Sequence, residues 1–577
     1  MQIRAGYRSL LSLIALFVVA ASAGCAAQPP ATTAPAKAAA TAPAAAPAAP
    51  TAQAGAPAAA PTAQAPAATA APAKAQPVKG GTAVIAVDSD PETLNPGLST
   101  GYVVGDVAAK VFNGLVWLDG NFTPQPSLAA SWTISPDNLI YTFKLRSGVT
   151  WHDGQPFTGA DVKYSFEEIV GKFHPRSQAL IKRIKSIETP DPLTVVVTLK
   201  EAYAPFLLQM SVFEAPILPK HLYDGQGDVL KNPANLKPVG TGPFKFVEWN
   251  KGSNIKLVRN DKYFEKDQPY LDGIVFQIIP QGANRSTALE TGEVDFVVDF
   301  YLPKTDVKRL SANAKLMSKR GQGFPAIDFL MMNTQTKALS TKEARQALAF
   351  AIDRQRIVDQ AMNGIGRVGS GPFGDGFKWL FNPATDYTKL YPHDVAKAKA
   401  LLDQAGVTAG TDGSRGKLRL VVDSARAPFA SAAQIIRENL KEVGFDVELQ
   451  PLERAVMIQK VFVDRDYDLT LQSYVSSGDP SIGYHRLYAT NTARTQFTNA
   501  SFYSNAKVDE LMAKAAVTPL QKDRTALYGE MQTILAADLP SLVLFDEEGY
   551  DFATKKLNGL WGSIDSRDGW GVVWMAK

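Results

Sequence analysis

The stretch KLRLVVDSARAPFASAAQIIRENLKEVGFDVEL, residues 417–449, decides how the second half of the chain folds. KLRLVV is a short apolar run of strand-forming residues, and Phe429 to Val443 carries apolar positions at helical spacing. Gly444 then supplies a left-handed stop, and FDVEL alternates Phe445, Val447 and Leu449 on one face. Two strands joined by a helix cannot form a hairpin; the crossover makes them parallel neighbours in one sheet. Helical patterns continue on both sides. Ser340-Thr341-Lys342-Glu343 reads as a capping box ahead of Ala344, Ala347, Leu348, Ala351 and Ile352. A second helix is predicted from Asp394 to Ala405 with a stop at Gly406, and two more over 505–515 and 520–537 precede the apolar strand LPSLVLF. Residues 340–545 therefore read as an α/β lobe.

Upstream the texture differs. TAVIAV (82–87) follows Gly80-Gly81 as a first strand, and Leu139 to Leu145 places Tyr141, Phe143 and Leu145 on one face. Phe244 and Phe246, then Asn250-Lys251-Gly252-Ser253, then Ile255 and Leu257 form a hairpin pattern. Helices here are short, with one expected over Gly159 to Ile169. Residues 546–577 are rich in Gly and Trp with little periodicity of their own, and a return to the first lobe is expected for them. The 499 residues from 79 to 577 exceed what one hydrophobic core serves, so at least two lobes are expected.

The N-terminus is of another kind. Arg4 and Arg8, an apolar run from Leu10 to Ala21 and small Ser22-Ala23-Gly24 have the layout of an export signal; a membrane span needs roughly 20 apolar residues. Cys25 is the only cysteine and follows at once. That arrangement resembles the lipobox of bacterial lipoproteins, in which the cysteine is lipidated and heads the mature chain, although Ser22 stands where that motif usually has leucine. The alternative is cleavage near Ala23 with a free thiol left behind. Residues 26–78 are nearly all Ala, Pro, Thr and Gln without aromatics, a composition that cannot offset the entropy of ordering, and read as a tether.

Charge excludes one class of partner. The formal net charge of +4 is matched by Arg4, Arg8, Lys37 and Lys74, all before residue 79 with no acid among them. The folded part is neutral and offers no polyanion surface, so nucleic acid is not expected as a ligand. The folded part also lacks cysteine, hence disulfides and thiolate chemistry.

Catalytic motifs fail on context. Gly97-Leu98-Ser99-Thr100-Gly101 matches GxSxG but follows Asn95-Pro96 with no strand before it. Gly364-Ile365-Gly366-Arg367-Val368-Gly369 matches GxGxxG but follows a helix, so it cannot offer a helix N-terminus to a pyrophosphate. His152, His174, His221, His393 and His485 have no ligand-type spacing, so no metal site, cofactor or catalytic residue is expected. Trp151, Trp249, Trp379, Trp561, Trp570 and Trp574 read as packing residues.

Ten ordered segments carry a family resemblance: DSDPETLNP, AKVFNGLVWLDG, PSLAASW, LRSGVTWHDGQPFTGADVKYSFE, VGTGPFKF, RNDKYF, PYLDGIVFQII, EARQALAFAIDR, AKALLDQAG and GDPS. In this order the chain resembles the family 5 extracellular solute-binding proteins of ABC importers, the dipeptide, oligopeptide and nickel-binding group. The resemblance implies a type II periplasmic-binding-protein fold of two α/β lobes with an extra subdomain. The first lobe is expected from 79–117, 236–330 and 546–577, the subdomain from 118–235 and the second lobe from 331–545. It further implies a peptide or similar small polar solute held between the lobes by short extended segments, here Thr100-Gly101-Tyr102 and the run through Tyr474, Val475, Ser476 and Ser477. Peptide binders of the group carry an aspartate for the ligand ammonium where this chain has Ser476 or Ser477, so either Asp479 takes that role or the ligand has no ammonium there. Arg367 and Arg486 are candidates for a ligand carboxylate. Permease subunits with their ATPases are the implied partners, and a monomer on a lipid anchor is the implied form. Alternatives are a receptor of the same fold for an opine, oligosaccharide or metal chelate, or an extracellular enzyme or sensor.

Overall fold

The computed structural model describes residues 76–577 apart from 321–324, 425, 495, 564, 566 and 577. The export signal, Cys25 and all but the last residues of the tether lie outside the described residues. Three separate hydrophobic cores underlie the body. One contains Ile85, Phe276, Phe296 and Phe552, a second Phe329, Leu420, Ile436 and Leu542, and a third Phe143, Trp151, Val197 and Phe206. Each sits against its own sheet.

The first sheet has seven strands in the order Leu316–Arg320, Tyr550–Thr554, Phe296–Val297, Thr82–Val87, Gly273–Ile278, Asn254–Arg259, Phe244–Asn250. Its centre is parallel, Ile85 facing Phe276 on one side and Phe296 on the other. The predicted hairpin joins antiparallel with Phe246 opposite Leu257.

The second sheet has six strands in the order Arg367–Val368, Ser541–Asp546, Ala326–Met332, Leu469–Val475, Gly416–Asp423, Phe445–Leu452. The strands of the opening stretch do run parallel, Leu418 facing Val447 and Leu420 facing Leu449. The helix Ala427–Glu442 between them carries Pro428 in its first turn, where a missing N–H costs nothing, and buries Phe429, Ala432, Ile436 and Leu440 on the sheet. It ends before Gly444, whose φ of 99° lies in the left-handed region.

The third sheet, Ala129–Ile134, Ile140–Leu145, Thr194–Leu199, Ile184–Asp191, belongs to the extra subdomain. Two sequence readings shift here and in the second lobe. The helix expected over Gly159 to Ile169 is α-helical only through Tyr164 and then widens to a π-helix over Ser165–Val170. The helix Lys342–Ala351 is capped by Thr341, whose hydroxyl accepts from the Ala344 N–H at 3.3 Å, because Ser340 spends its own hydroxyl on the Lys337 carbonyl.

Successive strands change sheet after Arg320 and again after Asp546. The second passage is Glu547-Glu548-Gly549. Glu548 pairs with Arg320 at the end of one sheet and, at 2.8 Å, with Arg367 at the edge of the other. Asp299 accepts the Tyr550 N–H at 2.9 Å and pairs with Lys304. The crossing is thus pinned by charge from both sides.

Candidate functional site

A cavity of about 840 Å³ lies where the two main sheets and the subdomain converge. The first lobe contributes Ser99 to Tyr102 at the start of the helix Tyr102–Val111, together with Arg567. The second lobe contributes the end of the strand Leu469–Val475, the helix start at Arg426, and Arg454, Arg486 and Phe497. The subdomain supplies the remaining wall, from Arg176, Arg183, Tyr203 and Glu214.

The subdomain also closes directly on the second lobe. The Ala204 N–H donates to the Ala516 carbonyl at 2.8 Å, and the Ser477 hydroxyl donates to Glu214 Oε1 at 3.1 Å. Phe122 sits against Phe377 and above Gly478, where a Cβ would come within 2.9 Å of the ring. Gly478, at φ 90°, is therefore fixed by both backbone and space.

Of the ten residues singled out in the sequence, Thr100, Gly101, Tyr102, Tyr474, Val475, Ser477 and Arg486 line the cavity. Three lie elsewhere. Arg367 belongs to the crossing, on Glu548 and, at 2.5 Å, Asp375. Ser476 is buried behind the strand end, its hydroxyl on the Asp479 carbonyl. Asp479 is not part of the lining: both oxygens are taken by Arg524 at 2.6 and 2.7 Å, and Oδ1 also caps the turn at Ser481. Of the two alternatives drawn from the sequence, the one that gives Asp479 a ligand ammonium would require it to give up this pair within the second lobe. Ser99 lies in the turn before the helix, with no strand running into it as a nucleophile elbow requires.

The strongest feature of the lining was not legible in the sequence. Six arginines, 176, 183, 426, 454, 486 and 567, meet only Glu214 and Asp423 as lining carboxylates. Five are engaged: Arg176 with Glu214 at 2.8 Å, Arg183 with Glu201 at 2.5 Å, Arg426 with Glu547 at 3.0 Å, Arg454 with Asp423 at 3.0 Å, and Arg567 with Asp565 at 2.5 Å. Arg486 alone has no carboxylate partner among the described residues; Nε donates to the Gly483 carbonyl at 3.0 Å, and the guanidinium lies 4.4 Å from the Tyr474 ring centre. Crowding by both walls lowers the Arg486 pKa, and Arg176 opposite lowers it further, while Tyr474 acts the other way.

The aromatic lining follows the same logic. Arg426 stacks on Phe429 at 4.1 Å and Arg567 on Tyr102 at 4.7 Å, and Tyr102 stacks in turn on Phe300 with ring centres 3.8 Å apart. None of the six tryptophans read as packing residues lines this cavity.

Two lobes, each built on its own sheet, around a cavity of this size define a class, the two-lobed solute-binding proteins. The sequence profile of the bacterial extracellular solute-binding proteins, family 5, matches residues 123–495, and the chain belongs to that family. It is 28% identical over 498 residues to the oligopeptide-binding protein AppA of Bacillus subtilis, covering 84% of this chain and 89% of AppA. It is likewise 28% identical over 491 residues to the glutathione-binding protein GsiB of Salmonella typhimurium, with 83% and 91% covered. The structure of the periplasmic binding protein DppA from Helicobacter pylori in complex with peptide STSA superposes with a TM-score of 0.71 at 28% identity, covering 87% of this chain and 99% of that one. The type II fold with an extra subdomain is thus established, as is the role of extracellular solute binding.

Proposed function

We propose that the protein is the receptor of an ABC importer, enclosing a peptide or similar small polar solute between its lobes and passing it unaltered to the permease and its ATPases. The cavity carries this reading. Its volume falls within the roughly 300–1,000 Å³ of small-molecule sites, and it is walled by both sheets, so occupancy and lobe closure are linked. In this reading Thr100, Gly101, Tyr102, Tyr474, Val475 and Ser477 face the solute. The first lobe comprises 79–117, 236–330 and 546–577, the subdomain 118–235 and the second lobe 331–545. Val475, 44% exposed at the strand end, offers backbone for pairing with an extended ligand, which gives affinity without selecting a side chain.

The chain works as a monomer held at the membrane through lipidated Cys25, with residues 26–78 as its tether. Two measurements test the two halves. Mass spectrometry of what the natively purified protein releases on denaturation is expected to return a peptide or other small polar solute; release of a chemically altered product from an added solute would point to an enzyme instead. Radiolabelled palmitate is expected to enter the wild-type chain and not Cys25→Ser, and equal labelling of both would remove the anchor.

A further inference from the structure

We propose that a carboxylate of the bound solute sits between Arg176 of the subdomain and Arg486 of the second lobe, so that the receptor selects acid-bearing solutes and has no need of a free ammonium. This rests on the cavity being the solute cleft and deepens that reading by naming the group the cleft recognises.

The argument starts from what the wall charges are already doing. Glu214 is the lining acid that Ser477 reaches, but its side chain is 2% exposed and holds Arg176 at 2.8 Å, Ser177 Oγ at 3.1 Å and Ser477 Oγ at 3.1 Å. Asp423 is equally buried and holds Arg454. A ligand ammonium would find both lining carboxylates occupied and would stand beside guanidinium groups.

A carboxylate meets the opposite situation. Among the described residues neither Nη atom of Arg486 has a hydrogen-bond partner, and the residue is exposed into the cavity. Its planar fork matches two carboxylate oxygens, and the Tyr474 ring fixes the plane of that fork from below. Arg176 faces it from the other wall and is itself held rigidly. Its backbone N–H and that of Ser177 donate to His174 Nδ1 at 3.3 and 3.0 Å, and Nη2 donates to the Phe213 carbonyl at 3.2 Å. Two like charges brought together from separate lobes repel, and an anion between them turns that repulsion into a contact that both lobes share.

The test uses the full chain and three probes: Ala-Ala-Ala with free ends, its N-acetyl form and its C-terminal amide. By calorimetry the acetylated acid is expected to bind within about threefold of the free peptide, and the amide roughly 10- to 100-fold more weakly, the scale of one lost charge-assisted contact. Arg486→Gln is expected to lose the same factor for the two acids and nothing for the amide, with Arg486→Lys between. Equal binding of acid and amide, or unchanged acid affinity in Arg486→Gln, overturns the proposal. If none of the peptides binds, the reading as a peptide receptor fails, and the solute released from the native protein decides the clamp separately: an acid that Arg486→Gln binds more weakly upholds it, and a solute without an acidic group overturns it.

Discussion

Replacing Asp479 separates a structural role from a ligand-binding one. The carboxylate and Arg524 are 3% and 7% exposed and meet through two hydrogen bonds of 2.6 and 2.7 Å. Removing one partner of a buried pair costs about 3–5 kcal/mol, because the other charge is left without compensation. Here Arg524 keeps the Ala515 carbonyl at 2.9 Å and the rings of Trp379 and Tyr528 at 5.5 and 5.6 Å, which places Asp479→Ala near the lower end, about 3 kcal/mol. The double variant Asp479→Ala with Arg524→Met is expected to recover most of that, since methionine fills the space without a charge to satisfy.

The loss should be local. Hydrogen exchange of 469–488 and 521–538, the segments that the pair ties together, is expected to accelerate roughly 150-fold in Asp479→Ala where opening governs exchange, at tenfold per 1.36 kcal/mol. Solute affinity, measured at a concentration of urea-free protein that remains folded, is expected to stay within a few-fold of wild type. Unchanged exchange together with lost affinity would refute the reasoning and return Asp479 to the cavity as an ammonium partner.

Three further outcomes are expected. Burial, the leading cause, lowers the His174 pKa to about 4 from the 6.5 usual for histidine, so the unfolded chain takes up a proton that the folded one refuses as pH falls from 6.5 to 4. Its stability contribution is whole above that window and lost within it; His174→Asn should remove close to one proton from the slope of unfolding free energy against pH, and an unchanged slope would count against a neutral buried imidazole. Gly549→Ala should destabilise the crossing by about 1–3 kcal/mol, since a Cβ there comes within 2.3 Å of an Asp299 oxygen that Lys304 and Tyr550 hold in place, whereas Gly562→Ala, with nothing within 4 Å, should have little effect on the thermal midpoint. Ser477→Ala removes the hydrogen bond to Glu214 across the cleft and should weaken solute binding by about 1 kcal/mol, roughly fivefold; tighter binding in calorimetry would contradict a closing role.

Much of the fold was legible because it is written locally. The parallel pair at 417–449 follows from two apolar runs and the helix between them, and the helices Val395–Gln404 and Ala506–Val517 follow from apolar residues at helical spacing. The cap moved by one residue, from Ser340 to Thr341, which leaves Ala344 at the third helical position and no capping box; the two hydroxyls are equivalent in the sequence and only the turn geometry separates them. The π-wound Ser165–Val170 has no signal in apolar spacing. The cavity lining at 100–102 and at 474, 475 and 477 lies between ordered family segments, which is why the sequence could point to it. It was illegible where function depends on pairing. Asp479 looked available until Arg524, 45 residues on, came to meet it, and the arginines of the lining are scattered from 176 to 567 with no common period. An ion pair between distant residues leaves no trace in spacing.

That pairing also accounts for how one cavity can be both charged and permissive. An arginine neutralised by a neighbouring carboxylate presents polar edges to a solute without a net field that dictates its charge, so side chains and water can vary against Arg183, Arg426, Arg454 and Arg567 at small cost. An arginine left unpaired does the reverse. In an open cleft water solvates Arg486; as the walls approach, that water is lost while Arg176 comes nearer, so closing an empty cleft is opposed and closing it on an anion is favoured. Discrimination is then concentrated where Arg486 and Arg176 meet the acid, and the rest of the lining is free to accept whatever is attached to it.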